Sequence, residues 1–182
     1  SVFNTFTNSV TATIPVGTNP AGLTISPDDK WLYVANSGSN DISVISTETF
    51  QVATTIPVGN NPPGVSISPD GRWLYVGNSG SNTVMVINTA TNKVITTLPV
   101  GENPLIPLVS EDGSEVYVEN LMSQTISLVN TTTNTVIETF PNLTEASITA
   151  RRPAGNKKYV TDGDKGTITV INAKTNKIIA TI

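Results

Sequence analysis

The residues that could do chemistry in this chain are few, and carboxylates are the strongest of them. The 182 residues contain no histidine and no cysteine. Imidazole bases, histidine-centred triads, thiolate nucleophiles and the usual zinc ligand sets are therefore excluded. Fourteen acids remain as general acids, bases or calcium ligands. The densest group is Asp162-Gly163-Asp164-Lys165-Gly166, whose alternating acids resemble the start of a calcium loop but lack its distal glutamate. Asp28 and Asp70 stand in matching Ser-Pro-Asp tripeptides. Two carboxylates facing one cleft is the arrangement a glycosidase needs. Trp31 and Trp73 could stack a sugar ring, or pack inside the fold. Arg151, Arg152, Lys157 and Lys158 form the one local basic cluster, a candidate phosphate contact. Asn130-Thr131-Thr132 and Asn142-Leu143-Thr144 fit the acceptor pattern for N-glycosylation.

What positions these residues is a repeat of 42 residues. YVAN at Tyr33–Asn36, YVGN at Tyr75–Asn78, YVEN at Tyr117–Asn120 and YVTD at Tyr159–Asp162 keep that step, and PVG repeats it at Pro15, Pro57 and Pro99. The units beginning at Asn19 (NPAGLTISPDDKWLYVANSGSN) and Asn61 (NPPGVSISPDGRWLYVGNSGSN) are near copies. The third unit decays to NPLIPLVSEDGSEVYVENLMSQ, and the fourth loses both NP and SPD. The register reassigns most of the candidate chemistry. Asp162–Gly166 aligns with the hairpin loops at Asn36–Asn40 and Asn78–Asn82, and Asn130 aligns with Asn88 and Asn172, so a turn role suffices for each. Asp28 and Asp70 read as turn residues. Asn36, Asn78 and Asn120 close the second strand, where a tolerance of left-handed backbone and bonds to nearby main chain suit asparagine.

Within the second unit the sequence predicts strands at Gly64–Ser68, Trp73–Asn78, Thr83–Asn88 and Lys93–Pro99, joined by Pro69-Asp70-Gly71, Ser79–Asn82 and Thr89–Asn92. Leu74-Tyr75-Val76 and Val84–Ile87 are apolar without alternation, so these strands need cover on both faces. No stretch carries the 3.6-residue period of an amphipathic helix. Four-stranded antiparallel sheets stacked radially meet the demand, and 40 to 45 residues per sheet is the size of a propeller blade. The fold class is all-β: a propeller domain over 1–182, with a half blade at 1–14 and repeats at 15–56, 57–98, 99–140 and 141–182.

The run from NPxG through SPD and LYVxN to PVG resembles the YVTN β-propeller repeat, close to the repeats of archaeal surface-layer proteins. The resemblance implies a propeller of about seven blades on a secreted or cell-surface chain, and it implies no shared catalytic site. One periplasmic bacterial propeller of this kind is linked to DNA binding. Ser1 aligns with Ser43 and Thr169, and Ile14 with Ile56 and Ile182. The two ends therefore repeat the same strands instead of completing each other, which favours a part of a longer propeller or a self-associating arc over a closed four-bladed ring.

Net charge is −4, but residues 1–150 sum to −9 and residues 151–182 to +5. The expected function is a non-enzymatic extracellular or cell-surface module for structural assembly, adhesion or protein binding, with the periplasm as the alternative location. Its expected partners are proteins or its own copies, with a surface glycan as a further ligand. Nucleic-acid or polyanion binding through the basic fourth repeat is the alternative, and a sugar- or lactone-acting enzyme the third. No catalytic residue, cofactor or metal is assigned, and no apolar run is long enough to span a membrane. Stoichiometric zinc, copper or iron should not survive dialysis of the purified chain against a chelator; elemental analysis of the dialysed protein checks this.

Overall fold

A strand that is apolar on both faces cannot stop at one partner, and the sheets of this chain are arranged to give it two. The structure is a computed structural model, and it describes residues 1–141, 150–151, 157–162, 166–172 and 177–182. A two-stranded half blade, β1 (Val2–Asn4) and β2 (Ser9–Ala12), comes first. Blade 1 holds β3 (Pro20–Ile25), β4 (Trp31–Asn36), β5 (Asp41–Ser46) and β6 (Gln51–Pro57). Blade 2 holds β7 (Gly64–Ile67), β8 (Trp73–Asn78), β9 (Thr83–Asn88) and β10 (Lys93–Pro99). Blade 3 holds β11 (Leu108–Val109), β12 (Glu115–Asn120), β13 (Thr125–Asn130) and β14 (Thr135–Pro141). Blade 4 holds β15 (Ala150–Arg151), β16 (Lys157–Asp162), β17 (Thr167–Asn172) and β18 (Ile178–Thr181). Each full blade is a four-stranded antiparallel meander, and the described residues contain no helix.

The strand limits follow the sequence reading with one difference: the first strand of blade 2 ends at Ile67 rather than Ser68. Ser68 belongs to the turn instead: its N–H closes the turn on the Trp73 carbonyl at 2.8 Å, and its hydroxyl is engaged within it. The first strand of blade 3 is shorter still. Pro104 and Pro107 cannot donate to a ladder, and only an isolated bridge, Pro104 to Asn120, precedes the two residues of β11. In every blade the register slips by one residue where the third strand meets the fourth, as between Val94 and Thr96. Such bulges add local twist to the outermost strand.

The core lies between blades. Directly opposed residues share a sheet face, so Tyr33 with Val44 and Ala35 with Ile42 form the leading face of blade 1. That face, with Ile56, meets Val65, Leu74, Val76 and Ile87 on the trailing face of blade 2. The same contact recurs one step on: Tyr75, Val84, Val86 and Leu98 of blade 2 meet Val116, Val118 and Val129 of blade 3. Tyr117, Ile126 and Leu128 bury the leading face of blade 3.

The two marker motifs of the repeat touch each other. A Cβ on Gly17, Gly59 or Gly101 would lie 2.7–2.8 Å from side-chain carbons of Asn36, Asn78 or Asn120. PVG therefore carries glycine because the asparagine of YVxN sits against it. The asparagines are fully buried and extended, not left-handed, and their amides bond side chains rather than main chain: Asn36 Nδ2 donates to Asp41 and Ser43, Asn78 to Thr83, and Asn120 to Thr125 and Ser127. Left-handed backbone falls instead at Asn40, Asn82 and Gln124, at the end of each hairpin loop. The sequence reading of a structural role stands, but its reason is replaced by burial. Between blades, Asn40 Oδ1 accepts the Asn61 N–H at 2.8 Å and Asn82 Oδ1 the Asn103 N–H at 2.9 Å.

Two variants test this packing. Leu74→Ala, at a fully buried position of the interface, is expected to cost about 2–5 kcal/mol. Gly59→Ala, which drives a methyl into Asn78, is expected to cost about 1–3 kcal/mol. Urea unfolding curves of both, read at an unchanged slope, check the figures.

Candidate functional site

The carboxylates that recur in the repeat sit at the end of the blades where the first strand turns into the second. In blade 1, Ser26 Oγ donates to Asp28 Oδ1 at 2.6 Å and accepts the Trp31 N–H at 2.9 Å, while the Lys30 N–H reaches the same carboxylate oxygen at 3.2 Å. Blade 2 repeats the set: Ser68 to Asp70 at 2.5 Å, Trp73 N–H to Ser68 at 3.0 Å, Arg72 N–H to Asp70 at 3.1 Å. Blade 3 keeps it although SPD has become Ser110-Glu111-Asp112, with Ser110 to Asp112 at 2.6 Å and Glu115 N–H to Ser110 at 3.0 Å. Serine and aspartate thus staple the turn shut. Gly71 supplies the left-handed residue at φ 73°. From the next hairpin, Thr47, Thr89 and Thr131 each donate a hydroxyl to a turn carbonyl, at 2.6–2.8 Å.

Between blades 2 and 3 these turns bound a cleft of about 390 Å³, lined among others by Asp70, Arg72, Trp73, Asp112, Thr132 and Asn134. It brings together two carboxylates, a guanidinium and an indole. Both carboxylates of the cleft are already engaged, Asp70 by the Ser68 hydroxyl and Asp112 by that of Ser110. The Ser26 hydroxyl holds Asp28 below the usual carboxylate range, the Lys30 amide adding to this, and the Ser68 hydroxyl does the same for Asp70. The Lys30–Asp28 ion pair, at 3.8 Å and well exposed, adds little. Burial pushes the hydroxyl of Tyr75 up to about 12, and that of Tyr33 upward as well. Neither is a base near neutral pH.

The two tryptophans separate. Trp73 is half-buried against the apolar cluster shared by blades 2 and 3, with part of its surface on the cleft. Trp31 is 37% exposed. Of the basic cluster, Arg151 and Lys158 stand directly opposite each other in the β15–β16 register and Lys157 is exposed, while Arg152 lies outside the described residues. Gly163, Asp164 and Lys165 of the acidic loop, and the acceptor triplet at Asn142, also lie outside them. Asn130 Oδ1 accepts the Thr132 and Thr133 N–H groups at 3.0 Å, as a turn residue does. Among the described residues no three acids gather closely enough to hold a metal ion. The inter-blade cleft and the Asn40–Asn61 clasp were missed by the sequence reading. The clasp has a readable signal, a second asparagine 21 residues on, half a repeat away.

The family of seven-bladed β-propeller lactonases matches residues 3–99, more than half of the chain. The chain belongs to this family. Solved propellers overlay on most of the chain. Hydrazine synthase of Kuenenia stuttgartiensis is 21% identical with a TM-score of 0.76, covering 95% of this chain and 52% of its own. The dihydro-haem d1 dehydrogenase NirN is 15% identical with a TM-score of 0.78, covering 93% of this chain and 38% of its own. A functionally unknown protein from Desulfotomaculum acetoxidans is 19% identical with a TM-score of 0.75, covering 99% of this chain and 62% of its own. At these identities the likeness is one of fold. The family chain thus spans about half the length of the propellers it overlays. No curated protein matches.

A lowered carboxylate stabilises the fold above its ordinary pKa, and the gain disappears as pH falls through the lowered value. Asp70→Asn is therefore expected to be less stable than the parent at pH 7 and to show a flatter stability profile between about pH 4 and pH 2. Urea midpoints across that range check it.

Proposed function

We propose that this propeller segment is a non-catalytic extracellular or cell-surface module that binds proteins, its own copies included, and belongs with the surface-layer type of YVTN propellers. One observation carries the reading. The carboxylate that recurs in the repeat, at Asp28, Asp70 and Asp112, is spent as a turn staple in all three blades where it occurs. An acid that accepts a serine hydroxyl and a backbone N–H, with its pKa lowered as it is at Asp28 and Asp70, is a poor proton donor and a weak base. In sequence the turns differ most in the third and fourth repeats, where a partner would read them. The sparse charge and the abundance of threonine, serine and asparagine suit an exposed surface chain.

The family's name favours a second reading, hydrolysis of a lactone, with this segment as part of the propeller. The two readings divide on one assay. Hydrolysis of simple lactones and aryl glycosides is followed at pH 7, with and without added calcium. The expected result is the background rate throughout. A rate above background that Asp70→Asn or Asp112→Asn removes would overturn the proposal.

A further inference from the structure

Trp73 stands where the third unit has Glu115, and the exchange leaves a hydroxyl without its partner. In blade 3 Tyr117 donates its hydroxyl to Glu115, two residues back and on the same sheet face. An indole cannot accept that bond. In blade 2 the Tyr75 side chain is fully buried and its hydroxyl has no partner among the described residues. A buried polar group left unpaired costs stability. Trp73 packs on the same cluster as Tyr75 and carries on from it into the cleft between blades 2 and 3. The second unit thus gives up a hydrogen bond at the position that lays an indole on the cleft.

The polar groups around that indole have spare bonding capacity. Arg72 is exposed, and its guanidinium makes no hydrogen bond or ion pair among the described residues. Lys30, at the same position in blade 1, is paired with Asp28 at 3.8 Å. The bonds that Asp70 accepts from Ser68 and from the Arg72 N–H both fall on Oδ1, and Oδ2 accepts none among the described residues. Thr132 adds an exposed hydroxyl to the lining, where the second unit has Ala90.

We infer that the cleft between blades 2 and 3 is a binding site for a neutral saccharide, with one ring on Trp73 and its hydroxyls held by Arg72, Asp70 and Thr132. Charge decides the ligand class. Asp70 and Asp112 outnumber Arg72 in the cleft, so an anion enters against a net negative charge, and a cation meets the unpaired guanidinium. A sugar ring carries no charge. It lays C–H groups on the indole, and its hydroxyls both donate to a carboxylate and accept from a guanidinium. The volume, about 390 Å³, falls among small-molecule sites of about 300–1,000 Å³. The inference rests on the non-catalytic reading of the cleft carboxylates proposed above: they hold the ring and do not cleave it.

The chain has two tryptophans, so each can be made the sole fluorescent reporter. In Trp31→Phe, Trp73 emission is titrated with cellobiose, maltose, mannobiose and diacetylchitobiose, and with glucuronic acid as the anionic probe. A saturable change with at least one neutral disaccharide is expected in the millimolar range, weakened at least about tenfold when Arg72→Ala is added. Arg72 is exposed, and an unchanged urea midpoint verifies the folding of that variant. In Trp73→Phe the remaining Trp31 should not respond. No saturable change with any neutral sugar, a change that Arg72→Ala leaves intact, an equal response from Trp31, or tighter binding of glucuronic acid would refute the site. Cosedimentation with the polymer of the responding sugar assigns a surface-displayed glycan, and binding of the disaccharide alone assigns a free saccharide; both support the site. Chromatography of the incubated sugar tests the non-catalytic reading separately. Sugar recovered intact supports it, and sugar bound and cleaved overturns it while the site stands.

Discussion

The structure depends on strands that are apolar on both faces. Leu74-Tyr75-Val76 sends Tyr75 to one neighbour and Leu74 and Val76 to the other, and all three are excluded from water. A single blade with that sequence would expose one of the two sets. Burying one large aliphatic side chain is worth about 1.5–3 kcal/mol, and the interfaces of blade 2 with blades 1 and 3 bury seven and six such residues, each beside a tyrosine. Stability is therefore held in the interfaces between blades rather than within each sheet, as in other stacked repeats. The direction of stacking follows as well. Across both interfaces among blades 1, 2 and 3 the tyrosine face leads and the face of Leu74 or Val116 trails, so these blades join in one order.

The polar residues of the repeat are bound to this arrangement. Serine and aspartate close one end of blades 1, 2 and 3, and threonine from the next hairpin ties the turn down. At the other end the glycine of PVG lets the crossing lie against the buried asparagine of YVxN. Hence the conserved-looking positions within the chain are architectural. Positions free to carry a function are the ones where the units disagree: Arg72 against Lys30 and Ser114, Trp73 against Glu115 and Lys157.

Most of the fold was legible because the 42-residue period samples each structural position three or four times. Trp73–Asn78, Thr83–Asn88 and Lys93–Pro99 were readable to the residue, since uninterrupted β-branched runs end at turn-forming residues. Ser68 was misplaced because a hydroxyl that serves a turn looks, in sequence, like the end of a strand. Asn36, Asn78 and Asn120 were given the right role for the wrong reason. Asparagine is common both in left-handed loops and as a buried amide, and nothing local separates the two. The cleft between blades 2 and 3 was not legible, because it joins Trp73 to Asn134 across an interface whose depth depends on how two sheets sit together.

Divergence among the units is also an interface property, and the inner strands show how it is accommodated. Gly22 and Gly64 occupy the same repeat position, and a Cβ on Gly22 would lie 2.7 Å from the Gly64 Cα. Blades 1 and 2 therefore approach backbone to backbone. The third unit places Ile106 at that position, and its side chain fills the space a Cβ on Gly64 would need, coming within 2.6 Å of it. Leu105 presses its carbonyl against Gly77, where a Cβ would lie 2.2 Å away. The bulk that the third unit gained is thus received by glycines the second unit kept. Ser66 adds a hydroxyl bond to the Pro107 carbonyl, at 2.5 Å, where the proline-rich strand has few ladder bonds of its own. Each unit is fitted to the one beside it. The blades are alike in pattern, yet exchanging the second for the first would place Ala35 where Gly77 meets Leu105, and the methyl has nowhere to go.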